Sequence, residues 1–306
     1  MARTSVILVG IAGDSGAGKS TFAEALRQRL GRARTTVVGL DDYHLLDREE
    51  RKRLGVTALH PKANNFGLLV DHVWQLRQGR SVLKPVYDHQ TGTFGRPERV
   101  VPRDVVLLEG LHPFLMVLLR ELLDFKIYYD THRDLRVRWK VQRDAAERGY
   151  TEEEVRREIE RRRPDVERYV EPQRRHADLL IRLLPGGRGD DGVRVCLLEP
   201  ARAPSRVVRW VALAARFGLL GAAPVYDRLH GRAFHGVDLA DPVPAAAAAA
   251  VLEMADVPTG AGDALNGGDL TPVEFTQTLV AGVVRTLADG AEIPRTSEPH
   301  LTVQVS

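Results

Sequence analysis

Residues 13–20 read Gly13-Asp14-Ser15-Gly16-Ala17-Gly18-Lys19-Ser20, and this stretch decides the fold. It matches G-x-x-x-x-G-K-[ST], a loop whose backbone N–H groups converge on phosphate oxygens. The pattern carries weight only between a strand and a helix. Ser5 to Ile11 is rich in β-branched residues and reads as a buried strand. Lys19 to Leu30 places Phe22, Leu26 and Leu30 at helical spacing. The helix N-terminus adds a dipole that favours anions. A nucleoside triphosphate is therefore the expected ligand. Gly13, Asp14, Ser15, Gly16, Ala17, Gly18, Lys19, Ser20 and Thr21 are the candidate nucleotide-binding residues. Lys19 would reach the β/γ-phosphates, and the Ser20 hydroxyl would hold Mg²⁺.

Outward from the loop, strand-like and helix-like segments alternate. Thr35 to Leu40 reads as a strand ending in Asp41-Asp42, and a polar stretch to about Asn65 reads as a substrate loop. A helix over Phe66 to Gln78, a short strand over Val82 to Tyr87 and a strand over Val105 to Leu108 follow, the last running into Glu109. Phe114 to Leu123 reads as helix, and Phe125 to Tyr129 and Ala177 to Leu184 as strands. The fold class expected is α/β, with a mostly parallel sheet covered by helices. Leu135 to Arg163 is rich in Arg and Glu, with Glu152/Arg156, Glu153/Arg157 and Glu158/Arg162 at i,i+4 spacing, the stabilising order on a solvated helix. The Gly/Asp-rich connector Pro185 to Gly192 marks a boundary: residues 1–185 as the core with substrate loop and lid, 186–306 as a smaller mixed C-terminal extension. Within the extension, Val193 to Leu198 and Arg206 to Ala214 read as strands, Ala245 to Ala250 as a strand or helix margin, and Pro272 to Leu287 as a final helix.

Composition narrows the function classes. Lys+Arg 44 against Asp+Glu 41 leaves a net charge of +3 without basic blocks, which argues against an electrostatic nucleic-acid binder. Cys196 is the only cysteine, so no intrachain disulfide can form. No signal peptide or membrane-length apolar run is visible, and a cytoplasmic enzyme is the expectation. The ten histidines show no zinc-ligand spacing.

A triphosphate site that transfers phosphate needs a carboxylate on the metal side and a base for the acceptor. Glu109, at the end of an apolar strand, is the candidate metal-side acid beside Ser20. Asp41 and Asp42 end another strand; one is expected to take a hydroxyl proton and the other to be structural. Arg48 has the fork geometry for a phosphate on the acceptor. On position alone, Arg48 and His44 read equally well as solvated loop residues.

At this point the chain resembles a known family. Leu40-Asp41-Asp42-Tyr43-His44, Asp47-Arg48, Gly55-Val56-Thr57-Ala58-Leu59-His60-Pro61, Ala63-Asn64-Asn65-Phe66 and Lys84-Pro85-Val86-Tyr87-Asp88-His89 are similar to the phosphoribulokinases of plants and cyanobacteria. So are Glu109-Gly110-Leu111-His112-Pro113, Lys140-Val141-Gln142-Arg143-Asp144, Glu147-Arg148-Gly149, Arg163-Pro164-Asp165 and Pro172-Gln173. The likeness is dense over about residues 5–185. It implies a P-loop kinase fold and ATP-dependent phosphorylation of D-ribulose 5-phosphate at C1, with Mg²⁺ and a homodimer. Carried over position by position, Asp41 is the base, Asp42 the structural acid, and His44 and Arg48 the sugar-phosphate ligands. Tyr87 and His89 line the pocket; Lys140, Arg143 and Arg148 are the lid cations; Asp144 is an active-site acid, and Glu109 the metal-side acid. A uridine kinase or other hydroxyl kinase on the same scaffold, and an ATP-binding regulatory protein without turnover, are the alternatives. The plant branch carries thiols where this chain has Ala17 and Gly39, so thiol–disulfide switching is not expected. Thr259-Gly260-Ala261-Gly262-Asp263-Ala264-Leu265-Asn266-Gly267-Gly268 resembles the signature of ribokinase-type sugar kinases, which do not use a lysine phosphate loop. A Gly-rich turn before the last helix is the expectation there.

Overall fold

Every residue of β1 (Ile7–Ala12) is buried, as a central parallel strand requires, and α1 (Lys19–Leu30) follows the loop directly. The computed structural model describes residues 6–188, 192–202, 207–256 and 268–290, and the backbone alone at 147 and 148. Gly18 caps α1 at φ 92°, a left-handed conformation that glycine adopts without the Cβ penalty. After β2 (Thr35–Gly39) comes a tight helical turn over Leu40–Tyr43, then α2 (Arg48–Arg53) and α3 (Phe66–Arg77). Four short strands follow: β3 (Val82–Lys84), β4 (Tyr87–Asp88), β5 (Thr93–Phe94) and β6 (Glu98–Val100), with β3 paired to β6 and β4 to β5. The chain continues through β7 (Val105–Gly110), α4 (Val117–Leu122), β8 (Phe125–Thr131), α5 (Arg133–Arg148), α6 (Glu152–Asp165) and β9 (Leu179–Pro185). It closes with β10 (Val193–Pro200), α7 (Val208–Arg216), β11 (Ala223–Leu229), β12 (Arg232–Leu239), α8 (Ala245–Met254) and α9 (Pro272–Ala288).

Eight strands form one sheet in the order β11-β12-β10-β9-β8-β1-β7-β2. The five from β9 to β2 are parallel, and β10, β12 and β11 add antiparallel strands. Side chains alternate between two cores. Val9, Ile11 and Leu107 face the layer of α1, α7, α8 and α9, whereas Leu8, Val106 and Leu108 face α3 and α4. Parallel strands send their carboxyl ends to one edge, so the loop after β1, Glu109 on β7 and the turn after β2 meet there. Gly110 makes the meeting possible, because a Cβ on it would lie 2.8 Å from the Cβ of Leu40.

The sheet runs across residue 185 through the β9–β10 pair. α9 packs on α1, burying Phe275, Leu279 and Val283, each worth roughly 1.5–3 kcal/mol when fully buried. Arg29 Nε donates to Thr278 Oγ1 at 3.2 Å, and Arg285 Nη2 donates to the Arg29 carbonyl at 2.8 Å.

Several elements differ from expectation. Arg206 to Ala214 reads as a strand, but Val208–Arg216 is a helix: Val208, Val211 and Ala214 are buried at a spacing of three, so one helical face meets the core. The alanine run belongs wholly to α8. The strand expected over Val82–Tyr87 breaks at Pro85, which has no N–H to give to a ladder. Phe114 lies outside α4, and its N–H donates to Gln173 Oε1 at 2.8 Å. The Arg/Glu-rich stretch is two helices parted at Gly149, where φ is 68°. Glu152 pairs with Arg156 and Glu153 with Arg157, but Glu158 pairs with Arg161, leaving Arg162 to line the central cleft. The ribokinase-like residues 259–267 and the side chain of Arg148 lie outside the described residues.

Candidate active site

A cleft of about 1420 Å³ lies at the carboxyl edge of the parallel strands. Its floor is the phosphate loop, tied down from three sides. The Thr131 hydroxyl at the end of β8 donates to the Ala17 carbonyl at 2.7 Å. Arg136 of α5 forms an ion pair with Asp14, whose carboxylate also accepts from the Ser15 N–H at 2.6 Å. Lys19 Nζ donates to the Asp14 carbonyl at 2.9 Å, which keeps the ammonium folded over its own loop. Ser20 Oγ donates to Glu109 Oε1 at 3.0 Å. Burial raises the Glu109 carboxyl above its usual range, with Lys19 opposing and Asp41 adding to the rise.

Asp41 and Asp42 part company in the turn after β2. Asp42 is a structural anchor: Lys84, only 4% exposed, forms an ion pair with it, and its Oδ1 accepts the Tyr87 N–H at 2.8 Å. Asp41 lines the cleft, and among the described residues no hydrogen bond holds its carboxylate. Burial pushes its pKa up, but the positive charge facing it, the Lys19 ammonium first, outweighs that, and the carboxyl sits below its usual range. β2, which leads into the turn with Asp41, is one removed from β1, because β7 lies between; Glu109 is in register with both Ile11 and Gly39.

The far wall comes from α2 and the β4–β5 hairpin. Arg48 Nη2 donates to the His89 carbonyl at 2.6 Å and Nη1 to the Gln90 carbonyl at 3.2 Å. Arg51 Nη2 donates to the Tyr87 hydroxyl at 2.6 Å, and that hydroxyl donates to the Gly92 carbonyl at 3.0 Å. Tyr87 thus presents its ring, with His44 edge-on at 4.7 Å and His89 at 5.0 Å. His44 is buried, which pushes its pKa down to about 4, so it is neutral at pH 7. Its tautomer follows from Asn64. The Asn64 amide donates to the carbonyls of Ala58 and His60, so its Oδ1 faces His44 Nδ1 at 2.9 Å. Nδ1 therefore carries the proton and Nε2 is left as an acceptor.

The lid helices close the third side. Lys140 Nζ meets Asp144 Oδ2 at 2.5 Å, and Arg143 Nη2 meets Asp144 Oδ1 at 2.8 Å. Burial lowers the Lys140 pKa, and it raises that of Asp144 less than Lys140 and Arg143 lower it. Thr57 donates to Asp165 Oδ2 at 2.6 Å, joining the substrate loop to the end of α6.

Four cations on the cleft wall are not among the sequence candidates: Arg51, Lys52, Arg161 and Arg162. Arg51 and Lys52 had a visible signal, since they stand three and four positions after Arg48 on one helix. Arg161 and Arg162 had none, because their aim depends on how α6 crosses the sheet. Among the described residues no cluster of three or more metal-ligating side chains exists. The Ser20–Glu109 oxygen pair fits Mg²⁺ bound chiefly through substrate phosphates and water, which needs only one or two protein carboxylates.

Comparison with known proteins finds relatives of this chain. The model of the Phosphoribulokinase / Uridine kinase family matches residues 8–187. A phosphoribulokinase of Synechocystis sp. is 49% identical over 180 residues, covering 59% of this chain and 54% of that protein. A chloroplastic phosphoribulokinase of Mesembryanthemum crystallinum is 40% identical over 240 residues, covering 73% of this chain and 58% of that protein. The solved phosphoribulokinase from Rhodobacter spheroides superposes with a TM-score of 0.56 at 19% identity, over 76% of this chain and 91% of that one, a likeness of fold. The chain spans a little over half the length of the curated relatives it matches.

Proposed function

Because the chain belongs to the Phosphoribulokinase / Uridine kinase family, we propose that it transfers the γ-phosphoryl group of ATP to the C1 hydroxyl of D-ribulose 5-phosphate, giving ribulose 1,5-bisphosphate. The observation that carries this reading is the pairing of two phosphate-suited ends in one cleft, with the unbonded Asp41 carboxylate lining the same space. One end is the loop of residues 13–20 with Thr21; the other is the Arg48, Arg51 and Lys52 face of α2. A nucleoside acceptor has no phosphate for that second end.

Asp41 accepts the C1 proton as the new bond forms, a role typically worth roughly 10²–10⁴-fold. Lys19 leaves the Asp14 carbonyl for the phosphates. Mg²⁺, when bound by Ser20 and Glu109, offsets charge on the phosphate oxygens. Arg48 and Arg51 hold the acceptor phosphate, and His44, neutral with Nε2 as an acceptor, takes a sugar hydroxyl rather than an anion. Tyr87 and His89 shape the pocket. Lys140, Arg143 and Arg148, with Asp144 holding the first two, cover the transferring group and exclude water.

In this reading residues 1–185 carry the chemistry and residues 186–306 support it, in a cytoplasmic homodimer of the kind the resemblance implies. Among the described residues no helix is long and apolar enough to cross a membrane. The deciding experiment is ADP release from ATP and Mg²⁺ with ribulose 5-phosphate or with uridine. Turnover with the sugar phosphate alone is expected. Turnover with uridine alone overturns the acceptor, and ATP binding without turnover on any pentose phosphate favours a regulatory protein.

A further inference from the structure

Asp41 lines two spaces: the cleft, and a second cavity of about 10 Å³ shared with Tyr43, Asn64, Phe66, Leu111 and His112. His112 stands three residues beyond Glu109, is 4% exposed, and packs edge-on against Phe66 at 5.7 Å. Among the described residues neither of its ring nitrogens has a hydrogen-bond partner. The Leu59 carbonyl faces the ring without completing a bond of ordinary geometry. A neutral imidazole carries one donor and one acceptor, and each costs roughly 1–3 kcal/mol when buried unpaired. An apolar ring beside Phe66 would fill the same site without that cost, so packing alone does not account for a histidine here.

About 10 Å³ is the room one water occupies, provided at least two polar groups reach it. Of the polar side chains at this cavity, among the described residues, the His112 ring and the Asp41 carboxylate are the two that make no hydrogen bond of ordinary geometry. Asn64 has already spent both amide hydrogens, on Ala58 and His60, and the Tyr43 hydroxyl meets His72 Nδ1 at 3.1 Å. We infer that His112 is a positioning residue for Asp41, acting through one ordered water in this cavity that bonds both side chains. With the ring N–H toward Leu59, the other nitrogen accepts one O–H of the water, and its second O–H goes to the carboxylate. One carboxylate oxygen is thereby fixed and the other is left facing the acceptor hydroxyl. Burial pushes the His112 pKa down to about 4, with Asp41 opposing and Arg162 adding to the fall, so the ring stays an uncharged partner. The inference rests on the reading of Asp41 as the base.

The test combines crystallography and kinetics on the full chain. A high-resolution crystal structure is expected to show one water within hydrogen-bond distance of His112 and Asp41; a dry cavity overturns the inference whatever the enzyme phosphorylates. His112→Phe is expected to lower kcat with ribulose 5-phosphate by roughly 10–100-fold, as small misplacements of reacting groups do, with both KM values within about twofold. His112→Asn, which keeps a polar group, is expected to recover part of the loss. An unchanged kcat in His112→Phe, or a loss confined to KM, overturns the inference. If the wild-type enzyme is inert toward ribulose 5-phosphate, the proposed function fails, and the water in the crystal still decides the role of His112.

Discussion

At the scale of single residues, two adjacent aspartates do different work, and the difference is one of hydrogen bonding. Asp42 is spoken for by Lys84 and the Tyr87 N–H, whereas the Asp41 carboxylate is open to the cleft. Asp41→Asn is therefore expected to lose roughly 10²–10⁴-fold in kcat while the protein keeps its melting temperature and its ATP affinity. Asp42→Asn is expected to cost about 2 kcal/mol of stability instead, since the buried Lys84 keeps only Glu98 as an ionic partner. Denaturant midpoints and steady-state rates on both variants separate the roles. Sulfur chemistry is a second matter for single residues. Ala17 and Gly39 hold no thiol, and Cys196 is 2% exposed with burial pushing its pKa up to about 11. A mild disulfide-forming oxidant is expected to leave activity unchanged; a loss restored by a thiol reductant contradicts this.

At the scale of elements, α5 reaches the phosphate loop through Arg136 and the lid pair through Lys140, one turn later. Arg136→Met is expected to raise the KM for ATP several-fold and to change that for the acceptor little, because it frees Asp14 without touching the far wall. Nucleotide titration measures it. These elements also show what could be read in the sequence and what could not. The loop between β1 and α1 is local, and its glycines and flanks lie within twenty-five residues, so it was legible. The strand reading of Arg206 to Ala214 went wrong because a valine-rich run serves a strand or a buried helix face equally well, and only packing on the sheet chooses. Arg162 was invisible for a related reason: at i,i+4 from Glu158 it looks like a surface pair, but α6 turns it inward and Arg161 takes the glutamate. His112 gave no signal beyond its place after Glu109, since an unpaired buried nitrogen can be recognised only once its surroundings are packed.

At the scale of the whole molecule, acid should unfold this protein early. His44 and His112 are buried and neutral, each with a pKa pushed down to about 4 against about 6.5 in an unfolded chain. Between those values the unfolded chain binds more protons, so stability is intact above about pH 6.5 and falls as the pH drops toward 4, by on the order of 3 kcal/mol per histidine. Urea midpoints are expected to decline between pH 7.5 and pH 5, and less steeply in His112→Phe; a flat profile would contradict the assignment. The same wholeness bears on biosynthesis. One flank of α1, the helix just after the phosphate loop, packs against α9, whose residues begin at Pro272. At roughly 5–20 residues per second, a ribosome needs on the order of tens of seconds to travel from one to the other. Through that interval this flank of α1 has no final cover, and the nascent chain is a natural client for chaperones that shield exposed apolar helices until α9 emerges.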